Sequence, residues 1–267
     1  MKIDFHTHIF PDKIAEKTIS FLSKKGGIKN FGDGTADGLL KSMSKSGVDM
    51  SVILPVVTKP EQFTSINKFA CRINEQYGGK LISFGGIHPL SENYKAELKE
   101  IKENGFQGIK LHPDYQGVFI NDIRFKRIIY EASALDLIIS VHAGIDVGYP
   151  NEAVKCPPER SLEVIREIKP EKLVLAHMGG WKQWEAVEEL LCGENVWFDT
   201  GFCLEHMEES RFYSIIEKHG YDKILFATDN PWSDQSDYVN RMETFIFDEK
   251  VRSAIFGENV KKLLRLK

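Results

Sequence analysis

Short runs of apolar and β-branched residues alternate along the whole chain with longer stretches whose apolar residues recur at i, i+3 and i+4. The first pattern predicts strands and the second predicts amphipathic helices. Eight runs read as strands: residues 2–8, 50–57, 81–87, 106–112, 137–142, 172–177, 196–200 and 223–228. Residues 123–135 and 161–168 carry the clearest helical period between them. After the first strand, successive strands begin about 25–35 residues apart, the spacing of a βα unit. Eight such units in a row predict an α/β fold, a (β/α)8 TIM barrel with its active site at the C-terminal ends of the strands. A doubly wound sheet is the alternative, because the period does not say whether the sheet closes. No linker or repeat interrupts the pattern, so residues 1–267 read as one domain. The glycine-rich stretch 26–38 falls between strands one and two, where a barrel carries an active-site loop.

Charge and composition narrow the partners. The formal net charge is −4 with no basic block, which argues against tight phosphate-backbone binding. Cys71, Cys156, Cys192 and Cys203 lie far apart without a CxxC motif. In a chain of this size they read as reduced thiols of a cytoplasmic protein. No apolar run approaches the roughly 20 residues of a membrane span, and the opening residues show no signal-peptide pattern. The expected partner is a small-molecule substrate, with neither nucleic acid nor membrane.

The chemistry gathers where the strands end. Strand one ends in His6-Thr7-His8, strand three runs into His88, and strand four ends in Lys110-Leu111-His112. Strands five and six end at His142 and His177, and strand eight at Asp229. In a barrel these ends share one face. Residues i and i+2 of a strand point the same way, which pairs His6 with His8 and Lys110 with His112. Several neutral imidazoles and a carboxylate at one mouth suit a zinc-like divalent ion. A lone His-x-His pair would be weak evidence; the convergence of several strands is what carries the reading. His88 precedes a proline and also fits a plain turn. His206 and His219 fall in helical stretches and are expected at the surface. Asp146, Trp181 and Trp232 follow strands five, six and eight and are expected to overhang the mouth as substrate contacts. Two tryptophans there point to a ring or planar acid.

Five segments together resemble the amidohydrolase superfamily: Asp4-Phe5-His6-Thr7-His8, Gly108-Ile109-Lys110-Leu111-His112-Pro113, Val141-His142-Ala143-Gly144, Ala176-His177-Met178-Gly179-Gly180 and Phe226-Ala227-Thr228-Asp229-Asn230-Pro231. The nearest likeness is to the amidohydrolase-related group that contains aminocarboxymuconate-semialdehyde decarboxylase, whose C-terminal helix residues 255–266 also resemble. The resemblance implies His6, His8, His142 and Asp229 as ligands of a single divalent ion, most simply Zn2+. It implies His177 as acid/base or polarising residue, and a homodimer as the assembly. Lys110 departs from the decarboxylases. It resembles the strand-four lysine that some binuclear members carbamylate. In that case Lys110, His142 and His177 would serve a second ion; otherwise Lys110 and His112 anchor an acidic substrate. The single-ion form is the expectation.

Three reactions fit. Leading is hydrolysis of a small amide, ester or lactone, with Asp229 taking the proton of water and His177 polarising the carbonyl. Second is a lyase reaction, non-oxidative decarboxylation or hydration of an aromatic or dienoic acid. Third is a TatD-like phosphoesterase, disfavoured by the missing acidic residue on strand four. A non-catalytic binding module is the remaining alternative.

Overall fold

The computed structural model describes residues 1–246 and 248–266. Its strands are β1 (Ile3–Thr7), β2 (Met50–Ile53), β3 (Leu81–Ser83), β4 (Gly85–Gly86), β5 (Gly108–Leu111), β6 (Ile138–Val141), β7 (Leu173–Leu175), β8 (Trp197–Asp199) and β9 (Ile224–Leu225). Every ladder between neighbours is parallel. The predicted third strand is split into β3 and β4 at Phe84, whose N–H still donates to Ile53 O at 2.9 Å. The sheet closes on itself. Phe5 N–H donates to Phe226 O (2.9 Å), Asp229 N–H to His6 O (2.8 Å) and His8 N–H to Asn230 O (2.7 Å). Closure excludes the doubly wound alternative. The chain forms eight staves of a TIM barrel, one of them interrupted.

Helices α1 (Asp12–Gly26), α2 (Ala36–Ser46), α3 (Phe63–Tyr77), α4 (Tyr94–Glu103), the one-turn α5 (Pro113–Gln116), α6 (Ile123–Ala134), α7 (Pro158–Ile168), α8 (Trp184–Leu190), α9 (Glu209–His219), α10 (Gln235–Phe245), α11 (Glu249–Ser253) and α12 (Asn259–Leu264) complete the chain. Among the described residues, no helix is long and apolar enough to cross a membrane. Strand alternation sends Ile109, Leu111, Ile139, Val141, Leu175 and Phe198 outward into the large core under the helices. The opposite face fills the barrel with a separate apolar cluster that includes Ile3, Phe5, Val52, Phe84, Val174, Trp197 and Leu225. Val260 and Leu263 of α12 belong to the same cluster. Phe5 and Phe84 meet edge to face at 5.8 Å. Gly108 makes room for them, since a Cβ there would lie 2.5 Å from the Phe84 ring. The interior is therefore layered, apolar toward the N-terminal ends of the strands and polar at the mouth.

Helix α1 is an insertion between β1 and the barrel helix α2, and the glycine-rich stretch ends inside α2. The connecting loop reaches other mouth segments: Phe31 N–H donates to Pro231 O at 2.7 Å, and a Cβ on Gly26 would touch Val147. As the sequence predicts, that stretch lies over the strand ends.

Candidate metal centre

Simple alternation in β1 would place Phe5 and His6 on opposite faces, yet both turn inward. The ladder to β2 explains this, because its register shifts between Asp4 and Thr7. An extra residue in a strand re-aims the side chains beyond it. Phe5 joins the inner apolar cluster, while His6 enters a polar one. His6 Nε2 lies 3.1 Å from His8 Nε2, 3.2 Å from Lys110 Nζ and 3.4 Å from Asp229 Oδ1. His8 Nε2 lies 3.0 Å from the same Asp229 oxygen. Three of the four predicted ligands, His6, His8 and Asp229, thus converge without the fourth, His142, and Lys110, 1% exposed, points into the group.

His142 joins a second group with His112 and Asp146. Asp146 Oδ2 is 3.5 Å from His112 Nε2 and 3.7 Å from His142 Nε2. The His112 and His142 rings stack at 4.1 Å, and Tyr115 stacks on His112 at 4.0 Å. Tyr149 meets Tyr115 edge-on at 5.6 Å, and Lys25 of α1 caps the Tyr149 ring at 3.4 Å. His177 connects the two groups. Its Nε2 is 3.0 Å from His142 Nδ1, and its ring centroid is 5.4 Å from that of His6. Backbone strain marks the same place, since His177, Met178 and Asp229 all adopt positive φ without being glycine.

Burial sets the electrostatics. It pushes His6 down to about 4, with the Lys110 charge acting the same way. It also pushes Lys110 itself down to about 8. His112 and His142 fall well below the ordinary histidine value for the same reason, so both are neutral. Burial alone would raise Asp229, but His6, His8 and His177 around it hold it well below the usual carboxylate range. Burial lifts Asp146 to about 7, only partly offset by the Gly148 N–H donating to its carboxylate.

His142 Nε2 is buried without a hydrogen-bond partner, and buried Asp229 Oδ1 has only the His8 and His6 ring nitrogens near it, at 3.0 and 3.4 Å. A buried polar atom left poorly paired is costly, and a cation would satisfy such donors. Imidazole and carboxylate donors fit a zinc- or manganese-like divalent ion. The Lys110 ammonium is the one feature that opposes a cation here.

Two buried carboxylates beside the site are not among the residues the sequence predicts for it. Asp199, at the end of β8, lies 2.9 Å from His6 Nδ1. Asp4, inside β1, accepts from Thr228 Oγ1 (2.5 Å), Thr228 N–H (3.0 Å) and Gln235 Nε2 (2.8 Å), tying β1 to the last stave. The available signal was a carboxylate inside an otherwise apolar strand, which burial tolerates only with partners. His88 holds its own turn, accepting from Leu90 N–H at 3.1 Å. His219 corrects the expectation of a surface residue: it is 8% exposed, stacked on Phe198 at 4.1 Å. His206 is exposed as expected and lies against Phe202 and Trp181. Trp181 gives its indole N–H to Phe202 O (3.1 Å), and Trp232, half-buried, follows Asp229 with its backbone N–H on Asp229 O (2.8 Å).

Two surface cavities contain no predicted site residue. One of about 610 Å³ lies beside α1, lined by Glu16, Lys24 and Asp33 among others, and one of about 390 Å³ near Arg166 and Glu194. The donor chemistry marks the site, whose residues His6, Lys110, His142, His177 and Asp229 are all buried.

A barrel whose strand ends gather imidazoles and carboxylates into one buried cluster defines a metal-dependent TIM-barrel enzyme. The sequence model of the amidohydrolase family matches residues 3–266, and the chain belongs to that family. No curated protein matches the chain. Solved structures do. A TIM-barrel protein from Bordetella bronchiseptica is 15% identical, with a TM-score of 0.77 over 99% of this chain and 98% of that one. The 2,6-dihydroxybenzoate decarboxylase from Rhizobium is 16% identical, TM-score 0.72, covering 99% and 98%. The 5-carboxyvanillate decarboxylase from Novosphingobium aromaticivorans is 14% identical, TM-score 0.74, covering 100% and 96%, and is described with manganese and 4-hydroxy-3-methoxy-5-nitrobenzoic acid.

Proposed function

We propose that the protein is a divalent-metal-dependent lyase that removes carbon dioxide from a small aromatic or unsaturated carboxylic acid. The observation that carries this is the stacked wall of His142, His112 and Tyr115, with Tyr149 at its edge, set against the donor cluster. A flat ring fits against such a wall. The aromatic-acid decarboxylases among the structural neighbours support the reading, although a shared fold alone does not assign a reaction. The lyase reaction, second of the three expected, is therefore the reading preferred over hydrolysis.

His6, His8 and Asp229 would hold the ion, while His142 falls in the neighbouring group with His112 and Asp146. The ion supplies Lewis-acid polarisation of a substrate oxygen. Imidazole-rich donors favour zinc, and manganese is the alternative that metal analysis distinguishes. His112 accepts the Tyr115 N–H at Nδ1 (3.3 Å), so its Nε2 carries the proton and donates to the acid group. Lys110 supplies positive charge beside it. His177 is oriented by donation from Nδ1 to Gly201 O (2.7 Å), which leaves Nε2 as an acceptor. In the reaction the carbon–carboxylate bond breaks and its electron pair stays on carbon. An acid of the site then delivers a proton to that carbon.

Lys110 favours a second reading, hydrolysis of a small amide, ester or lactone. A buried lysine beside His6 is the position from which a carbamate could join two ions, and Asp229, held ionised, would take the proton of an attacking water. One assay separates the two. The metal-loaded protein is incubated with hydroxylated benzoates and, in parallel, with amides, esters and lactones. Metal-dependent carbon dioxide release, lost in Asp229→Asn, is the expected result. Hydrolysis without carbon dioxide overturns the lyase reading.

A further inference from the structure

We propose that Asp199 is the positioning residue of this centre: its carboxylate sets which nitrogen of His6 faces the donor cluster and anchors the backbone that carries His177. The inference rests on the reading of His6 as a metal ligand. Asp199 is fully buried, and both its oxygens are engaged. Oδ2 lies 2.9 Å from His6 Nδ1, while Oδ1 accepts the N–H groups of His177 and Gly201, each at 3.0 Å. An ionised carboxylate only accepts. Nδ1 of His6 must therefore carry the imidazole proton, and Nε2 keeps its lone pair. That lone pair faces His8, Lys110 and Asp229, where a cation would be bound.

The same residue steadies the other side of the centre. His177 and Met178 adopt φ of 60° and 53°. Asp199 holds this pair twice, by Oδ1 on His177 N–H and by its own carbonyl on Met178 N–H at 2.6 Å. Gly201 seals the arrangement. A Cβ there would come within 3.1 Å of Asp199 Oδ1 and 3.3 Å of both His6 Nδ1 and the Asp229 Cβ.

An isosteric change separates positioning from simple packing. Asparagine at 199 can still accept the two backbone N–H groups through its carbonyl oxygen. Its amide would then donate to His6 Nδ1, moving the imidazole proton to Nε2. The nitrogen facing the cluster would become a donor and could not bind a cation.

The experiment strips wild type, Asp199→Asn and Gly201→Ala with a chelator and titrates each with manganese chloride by calorimetry. Long-range 1H–15N correlation spectra of the metal-free proteins report the His6 tautomer. Expected are an Nδ1 proton on His6 in the wild type and an Nε2 proton in Asp199→Asn. Manganese affinity in that variant should fall about 10–100-fold, the usual effect of losing such a partner, with thermal unfolding of the metal-free form nearly unchanged. Gly201→Ala should weaken binding in the same direction. Manganese affinity in folded Asp199→Asn within about threefold of wild type, or a wild-type His6 protonated at Nε2, overturns the assignment. Should Asp199→Asn fail to fold, the wild-type tautomer and Gly201→Ala decide the matter. A wild type that binds no divalent cation refutes the metal reading instead, and the tautomer still tests the role of Asp199.

Discussion

His219 gives the barrel a pH-dependent element far from its mouth. The side chain ends α9 and is wedged against β8. Its Nδ1 accepts the Gly193 N–H (3.2 Å), its Nε2 donates to Val196 O (3.0 Å), and its ring stacks on Phe198 at 4.1 Å. One accepting and one donating nitrogen is the neutral imidazole, so protonation breaks the Gly193 bond. Burial, only partly offset by the bond to Val196 O, pushes the folded pKa from 6.5 down to about 4. At roughly 1.4 kcal/mol per unit, that difference is worth about 3 kcal/mol. Between these two values the unfolded chain binds a proton that the folded one refuses. The contribution is therefore complete above pH 6.5, and it drains away as the pH falls toward 4. Other buried carboxyls titrate over the same range, so the measurement must be a difference. His219→Gln retains a donor and an acceptor without a titrating ring. Urea unfolding of both proteins at several values between pH 7.5 and 4.5 supplies the free energies. Wild type should lose up to about 3 kcal/mol relative to the variant across that range. Parallel pH profiles would refute the reasoning, because they would mean that His219 is protonated in the folded state.

Two further predictions concern the barrel interior and its mouth. Phe84 is fully buried between Phe5 and the gap left by Gly108, and Phe84→Ala should destabilise the protein by about 3–5 kcal/mol in chemical denaturation. A loss below about 1 kcal/mol would show that the barrel interior collapses around the deletion. Adding zinc or manganese to the chelated protein at about 100 times its dissociation constant should stabilise it by about 2.7 kcal/mol. An unchanged melting temperature with either ion would show that the His6–His8–Asp229 group is not a cation site.

Much of this was legible in the linear pattern. All eight predicted strand positions are occupied by strands, because buried parallel strands are near-continuous apolar runs bounded by polar residues. The convergence of His6, His8 and Asp229 followed from the same pattern, since a barrel brings every strand end to one face. What the pattern could not show depends on contacts between residues distant in the chain. The shift in β1 that turns both Phe5 and His6 inward exists only in its pairing with β2. The split of the third strand at Phe84 reflects a ring that fills the barrel beside Gly108. Asp199 is an unremarked carboxylate in sequence, and only the closed barrel sets it against His6 from 193 positions away. The gathering of the histidines into His6–His8–Asp229, His6–His177–Asp199 and His112–His142–Asp146 groups is likewise tertiary. Sequence alone determined which residue types reach the mouth, because strand ends are set by local pattern. The tertiary structure decided which nitrogen and which oxygen face one another, because those distances are set by how the staves pack and close.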